Sequence, residues 1–293
     1  MANLGNYAAT QAVLYKYGFR TRKKYGQNFL IDASVLERIA EAAGLAKEDH
    51  VLEIGPGIGT LTQVLAEKAA DVTAVEIDDW LIPILGETLA DYPNADVEHM
   101  DFMEYDVAKW DASLTDGPRK AVANLPYYIT TPVLMKLLTC GVRFENMLFM
   151  VQKEVAERIL AAPGTKDYGA LSLAAAYYAK VENVGTVSRA CFLPSPAVES
   201  ALLRLTMYEE PPVKVNDPEQ MFRVIRASFN QRRKTLVNGI ANFEGFSFTR
   251  EEAAKALETI GLPAAVRGET LTLAQFAELS DALSGLAKEQ KEL

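Results

Sequence analysis

Cysteine is almost missing from this 293-residue chain. Cys140 and Cys191 are its only two, which excludes a disulfide framework and a Cys-rich zinc site. Histidine is as scarce: His50 and His99 stand far apart, so no His-based metal centre is expected and the metal expectation is none. No apolar run reaches the roughly eighteen residues that a membrane span needs. The first residues lack the apolar run and small-residue cleavage site of a secretory signal. Nowhere does Gly-Lys-Ser/Thr occur, so the Walker phosphate cradle is missing. Together these absences predict a reduced, cytoplasmic protein without a metal. No unpaired apolar face stands out, so a monomer is expected.

What is present is a core-forming composition: 49% of residues are hydrophobic, too many for a disordered chain. Net charge is −9, which by itself argues against a nucleic-acid partner, but the distribution argues the other way. Residues 1–31 hold Lys16, Arg20, Arg22, Lys23 and Lys24 and no acid. Residues 221–243 hold Arg223, Arg226, Arg232, Arg233 and Lys234, again with no acid. Such segregation focuses a positive field on part of an otherwise acidic surface, although two solvated charge runs would read the same way.

Along the chain, a basic tail (1–27) leads into a helical pattern near 32–43 with Asp32 as a candidate N-cap. Short apolar strands are expected at Val51–Ile54, Val72–Ile77, Val97–Met100, Ala121–Ala123, Met147–Val151 and Ala201–Thr206. Helical stretches fall between them, among them Leu61–Ala69, Thr131–Leu138 and Lys153–Leu160. Alternation of this kind implies a parallel, doubly wound α/β sheet with helices on both faces. Pro211-Pro212 breaks the chain, and beyond it the pattern is helical, with capping boxes at Thr249–Glu252 and Thr272–Gln275. The expected domains are therefore 28–210, α/β, and 211–293, a small all-helical domain. On a wheel for residues 220–240, Phe222, Ile225, Phe229, Leu236 and Ile240 share one face, beside a stripe of Arg223, Arg226, Arg233 and Lys234. That pairing suits a docked helix presenting cations to phosphates, or a surface helix with snorkelling arginines.

Chemistry concentrates after three strands. Glu53-Ile54-Gly55-Pro56-Gly57-Ile58-Gly59 is a strand running into a glycine-rich turn before a helix. Glycine there admits positive φ and lets a ligand approach the backbone. Glu76, 21 residues after Gly55, ends the next strand, where a carboxylate can accept from both hydroxyls of a ribose. The dinucleotide fingerprint fails, because its third glycine is Thr60. E-x-G-x-G-x-G looks instead like the loop of S-adenosylmethionine (SAM) methyltransferases. Asp101 would then accept from the donor's adenine amine; alone, it reads as a cap or turn residue. Asn124-Leu125-Pro126-Tyr127 follows another strand. There an amide oxygen and a nearby backbone carbonyl can both accept from a ring amine, turning its lone pair toward an electrophile. Taken in isolation, the same tetrapeptide would serve as a turn.

N-L-P-Y is similar to the fourth motif of amino-methylating SAM enzymes. Lys24–Leu30 (K-Y-G-Q-N-F-L), Phe149–Ala156, Phe192–Pro196 (F-L-P-S-P) and Phe229–Thr235 (F-N-Q-R-R-K-T) resemble the KsgA/RsmA family, the 16S rRNA adenine N6,N6-dimethyltransferases. The resemblance covers about residues 22–280. It implies a Rossmann-like SAM-dependent methyltransferase sheet and SAM as cofactor, leaving S-adenosylhomocysteine. The implied SAM contacts are Asn28, Leu30, Gly55, Glu76, Asp101 and Asn124. Asn124, Leu125, Pro126 and Tyr127 would grip the target adenine, with Phe192 closing its other face. The position before the motif Asn is often glycine in the family and is Ala123 here. The implied partner is 16S rRNA in an immature small subunit, contacted by Arg22, Lys23, Lys24, Arg223, Arg226, Arg233 and Lys234. The implied reaction is dimethylation of two adjacent adenosines in the 3′-terminal hairpin loop, with a role in ribosome biogenesis. Two other readings are a large-subunit methyltransferase of the macrolide-resistance type and a non-catalytic small-subunit assembly factor.

Overall fold

In a computed structural model, residues 4–19, 22, 26–126 and 129–289 are described. The chain forms two compact units, neither of them continuous in sequence: Met1–Ala156 with Lys180–Met207, and Glu157–Ala179 with Tyr208–Leu293. The boundary expected near residue 210 therefore differs from the observed division. Residues 157–179 join the helical unit because Tyr168, Leu173 and Tyr177 bury their side chains with Val224, Ile225 and Phe276.

The first unit contains α1 (Tyr7–Lys16), β1 (Phe29–Leu30), α2 (Ala33–Ala43), β2 (His50–Ile54), α3 (Thr60–Lys68), β3 (Asp71–Glu76), α4 (Ile82–Thr88), β4 (Ala95–His99) and α5 (Val107–Ser113). It continues with β5 (Arg119–Asn124), α6 (Thr130–Thr139), β6 (Asn146–Gln152), most of α7 (Lys153–Ile159), β7 (Ala179–Val187), β8 (Phe192–Leu193) and β9 (Ser200–Met207). Asp32 caps α2 by accepting from the Ser34 and Val35 N–H groups, and Gly44 ends it in the left-handed region. Between them Val35, Leu36, Ile39 and Ala43 form a buried i, i+4 stripe.

Among the described residues, seven strands form the main sheet in the order β4-β3-β2-β5-β6-β9-β7. Neighbours from β4 to β6 run parallel, and β9 is antiparallel to β6, pairing Asn146 with Thr206. The strand expected at 201–206 thus forms but reverses direction. All five residues of β2 are buried, as a central strand covered on both faces requires. On one face α2 and α3 pack Ile39 and Leu65 against Val51, Val72, Val122 and Leu148. On the other, the Trp110 indole of α5 donates to Thr73 Oγ1 at 3.1 Å. Strand order reverses between β2 and β5, so a crevice opens at their carboxyl ends.

The amino-terminal segment is not a plain tail. Asn6 caps α1, and Leu4, Val13, Leu14, Tyr17 and Phe19 belong to a cluster with Phe29, Leu81 and Leu85. Lys16 and Tyr17 both reach the Glu87 carboxylate.

The second unit holds α8 (Ala170–Tyr178), α9 (Pro218–Asn230), α10 (Leu236–Ala241), α11 (Arg250–Thr259) and α12 (Leu273–Glu289). Both expected capping boxes form, at Thr249–Glu252 and Thr272–Gln275. The helix expected over 220–240 is two helices. Between α9 and α10 the chain turns through Lys234 N–H to the Gln231 carbonyl, and Leu236 N–H leaves for the Val266 carbonyl. Arg232 fixes that turn by donating to Glu269 and to the Thr165 carbonyl. Tertiary hydrogen bonding therefore overrides a sequence that would carry one continuous helix. No helix among the described residues is long and apolar enough to cross a membrane.

Candidate active site

The crevice of the first unit is a cleft of about 1070 Å³, counting the open space at its mouth. Its wall includes Asn28, Leu30, Gly55, Glu76, Asp101, Asn124, Leu125, Pro126 and Phe192. Every described residue expected to hold donor or target adenine thus meets in one place. Tyr127 lies outside the described residues, as do Lys23 and Lys24.

Distant segments are joined by a two-stranded sheet. β1 and β8 pair antiparallel, placing Leu30 opposite Phe192 and Phe29 opposite Leu193. This brings G-Q-N-F-L and F-L-P-S-P together. Phe192 is 4% exposed, with its ring in the core cluster that also holds Leu30, so it forms a fixed wall.

The glycine loop follows β2. Gly55 and Gly57 have φ of 69° and 62°, a region that other residues enter at a cost. A side chain at Gly57 would also stand 3.2 Å from the Phe29 ring, whereas one at Gly55 would meet no protein atom within 4 Å. The backbone at Gly55 is therefore open to a ligand. At the end of β3, Glu76 is fixed by two backbone donors, Asp78 N–H at 2.8 Å and Gly57 N–H at 3.2 Å. Burial pushes its carboxyl up to about 7, against the pull of those two N–H groups.

Asn124 ends β5, and its Nδ2 donates to the Asn28 carbonyl at 3.1 Å. The donation fixes the amide plane and leaves Oδ1 as an acceptor. Leu125 N–H is held by the Met150 carbonyl at 3.0 Å. The Pro126 carbonyl is taken by Ile129 N–H and the Thr130 hydroxyl, while no described donor reaches the Leu125 carbonyl. Asp101 lines the cleft and also closes a turn, accepting from Met103 N–H at 2.8 Å. The turn reading of that residue therefore holds, and its place on the cleft wall leaves its second carboxylate oxygen for a ligand.

Glu53 was not singled out from the sequence, yet it lines the cleft at 1% exposure with Oε2 lacking a described partner. Burial, reinforced by the charge of Glu76, pushes its carboxyl up to about 8. Its position at the head of E-x-G-x-G-x-G was the available signal. The donor set fits a nucleoside carrying a cationic amino-acid chain: an open glycine backbone, a fixed carboxylate for hydroxyls, and a buried carboxyl without a cation among the described residues.

The family profile for ribosomal RNA adenine dimethylase matches residues 18–284. Over 96% of this chain and 98% of its own length, the ribosomal RNA small subunit methyltransferase A of Lachnoclostridium phytofermentans is 52% identical. Its namesake in Streptococcus gordonii is 47% identical over the same shares.

The chain belongs to the ribosomal RNA adenine dimethylase family.

Solved structures agree on the fold of this chain. A dimethyladenosine transferase from Plasmodium falciparum superposes with a TM-score of 0.71 at 25% identity, covering 90% of this chain and 98% of its own. The 23S rRNA methyltransferase ErmE gives 0.64 at 29% identity, covering 88% and 100%.

The basic residues divide. Arg22, expected to face phosphate, is engaged within the fold: Nη1 lies 3.0 Å from both Asp78 and Asp79, and the guanidinium sits 4.5 Å over the Trp80 ring. In the second unit Arg223 donates to the Gly245 carbonyl and lies over the Phe246 ring. Arg226, Arg233 and Lys234 are exposed, with no carboxylate in ion-pair range among the described residues.

Proposed function

We propose that this chain transfers methyl groups from SAM to the N6 amines of two adjacent adenosines in the 3′-terminal hairpin loop of 16S rRNA. The substrate in this reading is an immature small subunit, the enzyme is a cytoplasmic monomer, and the step belongs to ribosome biogenesis. The observation that carries it is the Asn124 amide, fixed by the Asn28 carbonyl beside a nucleoside-sized cleft. Relatives named for the small subunit are 46–52% identical to this chain, against 29% for the large-subunit enzyme ErmE, which favours the small subunit as substrate.

In this reading Glu76 accepts from the ribose hydroxyls of the donor and Asp101 from its adenine amine. Asn28, Leu30 and the Gly55 backbone shape the channel between them. Glu53, buried without a cation among the described residues, suits the donor's ammonium. The donor supplies a methyl carbon activated by a sulfonium. Asn124 Oδ1 and the Leu125 carbonyl accept the two N–H bonds of the target amine. Its lone pair then leaves ring conjugation and points along the S–CH3 axis. Pro126 limits the backbone between the two acceptors. The attacked nitrogen sheds its proton once the sulfonium charge has gone, so no strong base is needed. No histidine or cysteine lines the cleft. The mono-methylated amine keeps one N–H and can return for a second transfer. Extruding the adenine costs a few kcal/mol, offset by stacking on Tyr127 and Phe192 worth roughly 1–3 kcal/mol per base. Arg226, Arg233 and Lys234 supply phosphate contacts in the second unit.

The test is transfer of labelled methyl from SAM to unmodified small subunits and, separately, to large subunits, by wild type and Asn124→Ala. Wild type should label small subunits only. Asn124→Ala should lose at least about 100-fold in rate while still binding S-adenosylhomocysteine. Labelling of large subunits, or an unchanged rate in the variant, would overturn the reading. A wild type that binds subunits without methylating them would leave the assembly-factor role.

A further inference from the structure

Arg22 lies outside the cleft wall, yet a closed ring of hydrogen bonds connects it to Gln27 on that wall and, through Asp78, to Glu76. Its backbone N–H donates to Gln27 Oε1 at 2.9 Å, which ties residue 22 to residue 27. Both side chains then converge on one carboxylate: Arg22 Nη1 reaches Asp78 Oδ1 at 3.0 Å and Gln27 Nε2 reaches Asp78 Oδ2 at 2.7 Å. Asp78 is 0% exposed, so its charge depends on these donors and loses its compensation if the guanidinium is removed. Asp78 Oδ1 also accepts from Trp80 N–H, and the indole of that residue stacks under the guanidinium. Each end of the ring continues into the site. On one side Asp78 N–H donates to Glu76. On the other, the residue after Gln27 is Asn28, whose carbonyl holds the Asn124 amide.

We propose that Arg22 is a positioning residue for the methyl-donor site: it locks the Gly26–Leu30 segment to the end of β3 and so sets the affinity for the donor without touching it. This rests on the donor reading of the cleft given above. It also changes the role expected of Arg22, because a guanidinium shared by two carboxylates and an indole has little left to offer a phosphate.

Donor and RNA binding are measured separately for the full chain, by calorimetry with SAM and by filter binding of small subunits over a salt series. Arg22→Ala should raise the Kd for SAM about tenfold, since it leaves Asp78 buried without its cation and residue 22 untied from Asp78. Its affinity for subunits and the salt slope should stay within about twofold of wild type. At saturating SAM the bound donor itself holds the segment, so kcat should fall by less than about threefold and the loss should appear in KM. Arg22→Lys keeps the charge but loses the planar fork, and should recover part of the SAM affinity. Arg22→Ala binding SAM as tightly as wild type overturns the latch. So does a variant that loses subunit affinity with a shallower salt slope while keeping SAM. A wild type that binds no SAM overturns the donor reading itself.

Discussion

The two ends of the same sheet handle buried charge in opposite ways. At the amino ends, Lys120 Nζ lies 2.8 Å from Asp49 with both side chains almost fully buried, and it also donates to the Gly44 carbonyl. His50 meets Asp71 at 2.6 Å beside them, and Arg119 meets Asp111 at 2.7 Å. At the carboxyl ends, Glu53 and Glu76 are buried with no cation in ion-pair range among the described residues. Desolvation without compensation is costly, so the second arrangement weakens the ligand-free fold. It leaves hydrogen-bonding capacity that a ligand can use. Lys120 thus neutralises Asp49 at one end, while Glu53 and Glu76 stay without a cation among the described residues at the other, within strands only five or six residues long.

Breaking the amino end should have the largest effect. Lys120→Met strands Asp49 in the interior and should lower the unfolding free energy by about 3–5 kcal/mol in urea titration, leaving SAM affinity unchanged. Adding Asp49→Leu should recover much of that loss.

The pH response should separate the ends next. Glu53 and Glu76 are raised from about 4.5 to about 8 and about 7, so the folded state holds their protons more tightly than the unfolded chain. Their contribution is fully present below pH 4.5 and is lost as pH rises through 7 to 8. Ligand-free stability from these two groups should therefore fall across that window, while SAM affinity rises as Glu76 ionises. A flat stability profile whose slope Glu53→Gln leaves unchanged would remove the distinction.

Glu53→Gln sharpens the comparison further. It should weaken SAM binding about tenfold, the worth of one charge-assisted contact, while holding or raising the melting temperature of the free protein. Smallest is Asp32→Ala, which removes the cap of α2 and should cost about 1 kcal/mol.

What the sequence disclosed follows the same division. Gly55, Glu76 and Asn124 each sit at the end of a strand with a clear apolar run, so period and spacing pointed to the cleft they line, whereas Asp101 follows the mixed strand Ala95–His99. β1 and β8 escaped because two-residue strands 163 positions apart have no periodicity to read. The helix at Tyr7–Lys16 escaped because its acid-free composition reads as a tail, and its apolar residues gain meaning only against Leu81 and Leu85. Residues 157–179 carry no composition shift, so their membership of the helical unit is a tertiary fact. The partners of Arg22 were hidden because a positive residue among positive neighbours shows nothing of Asp78, 56 residues away.

The account stands on where the methyl donor lies relative to residue 124. A crystal structure of the complex with S-adenosylhomocysteine measures this directly. Ribose hydroxyls on Glu76, the adenine amine at Asp101 and the sulfur turned toward Asn124 Oδ1 are the predicted result. A ligand seated elsewhere, or its sulfur facing away from Asn124, would contradict it.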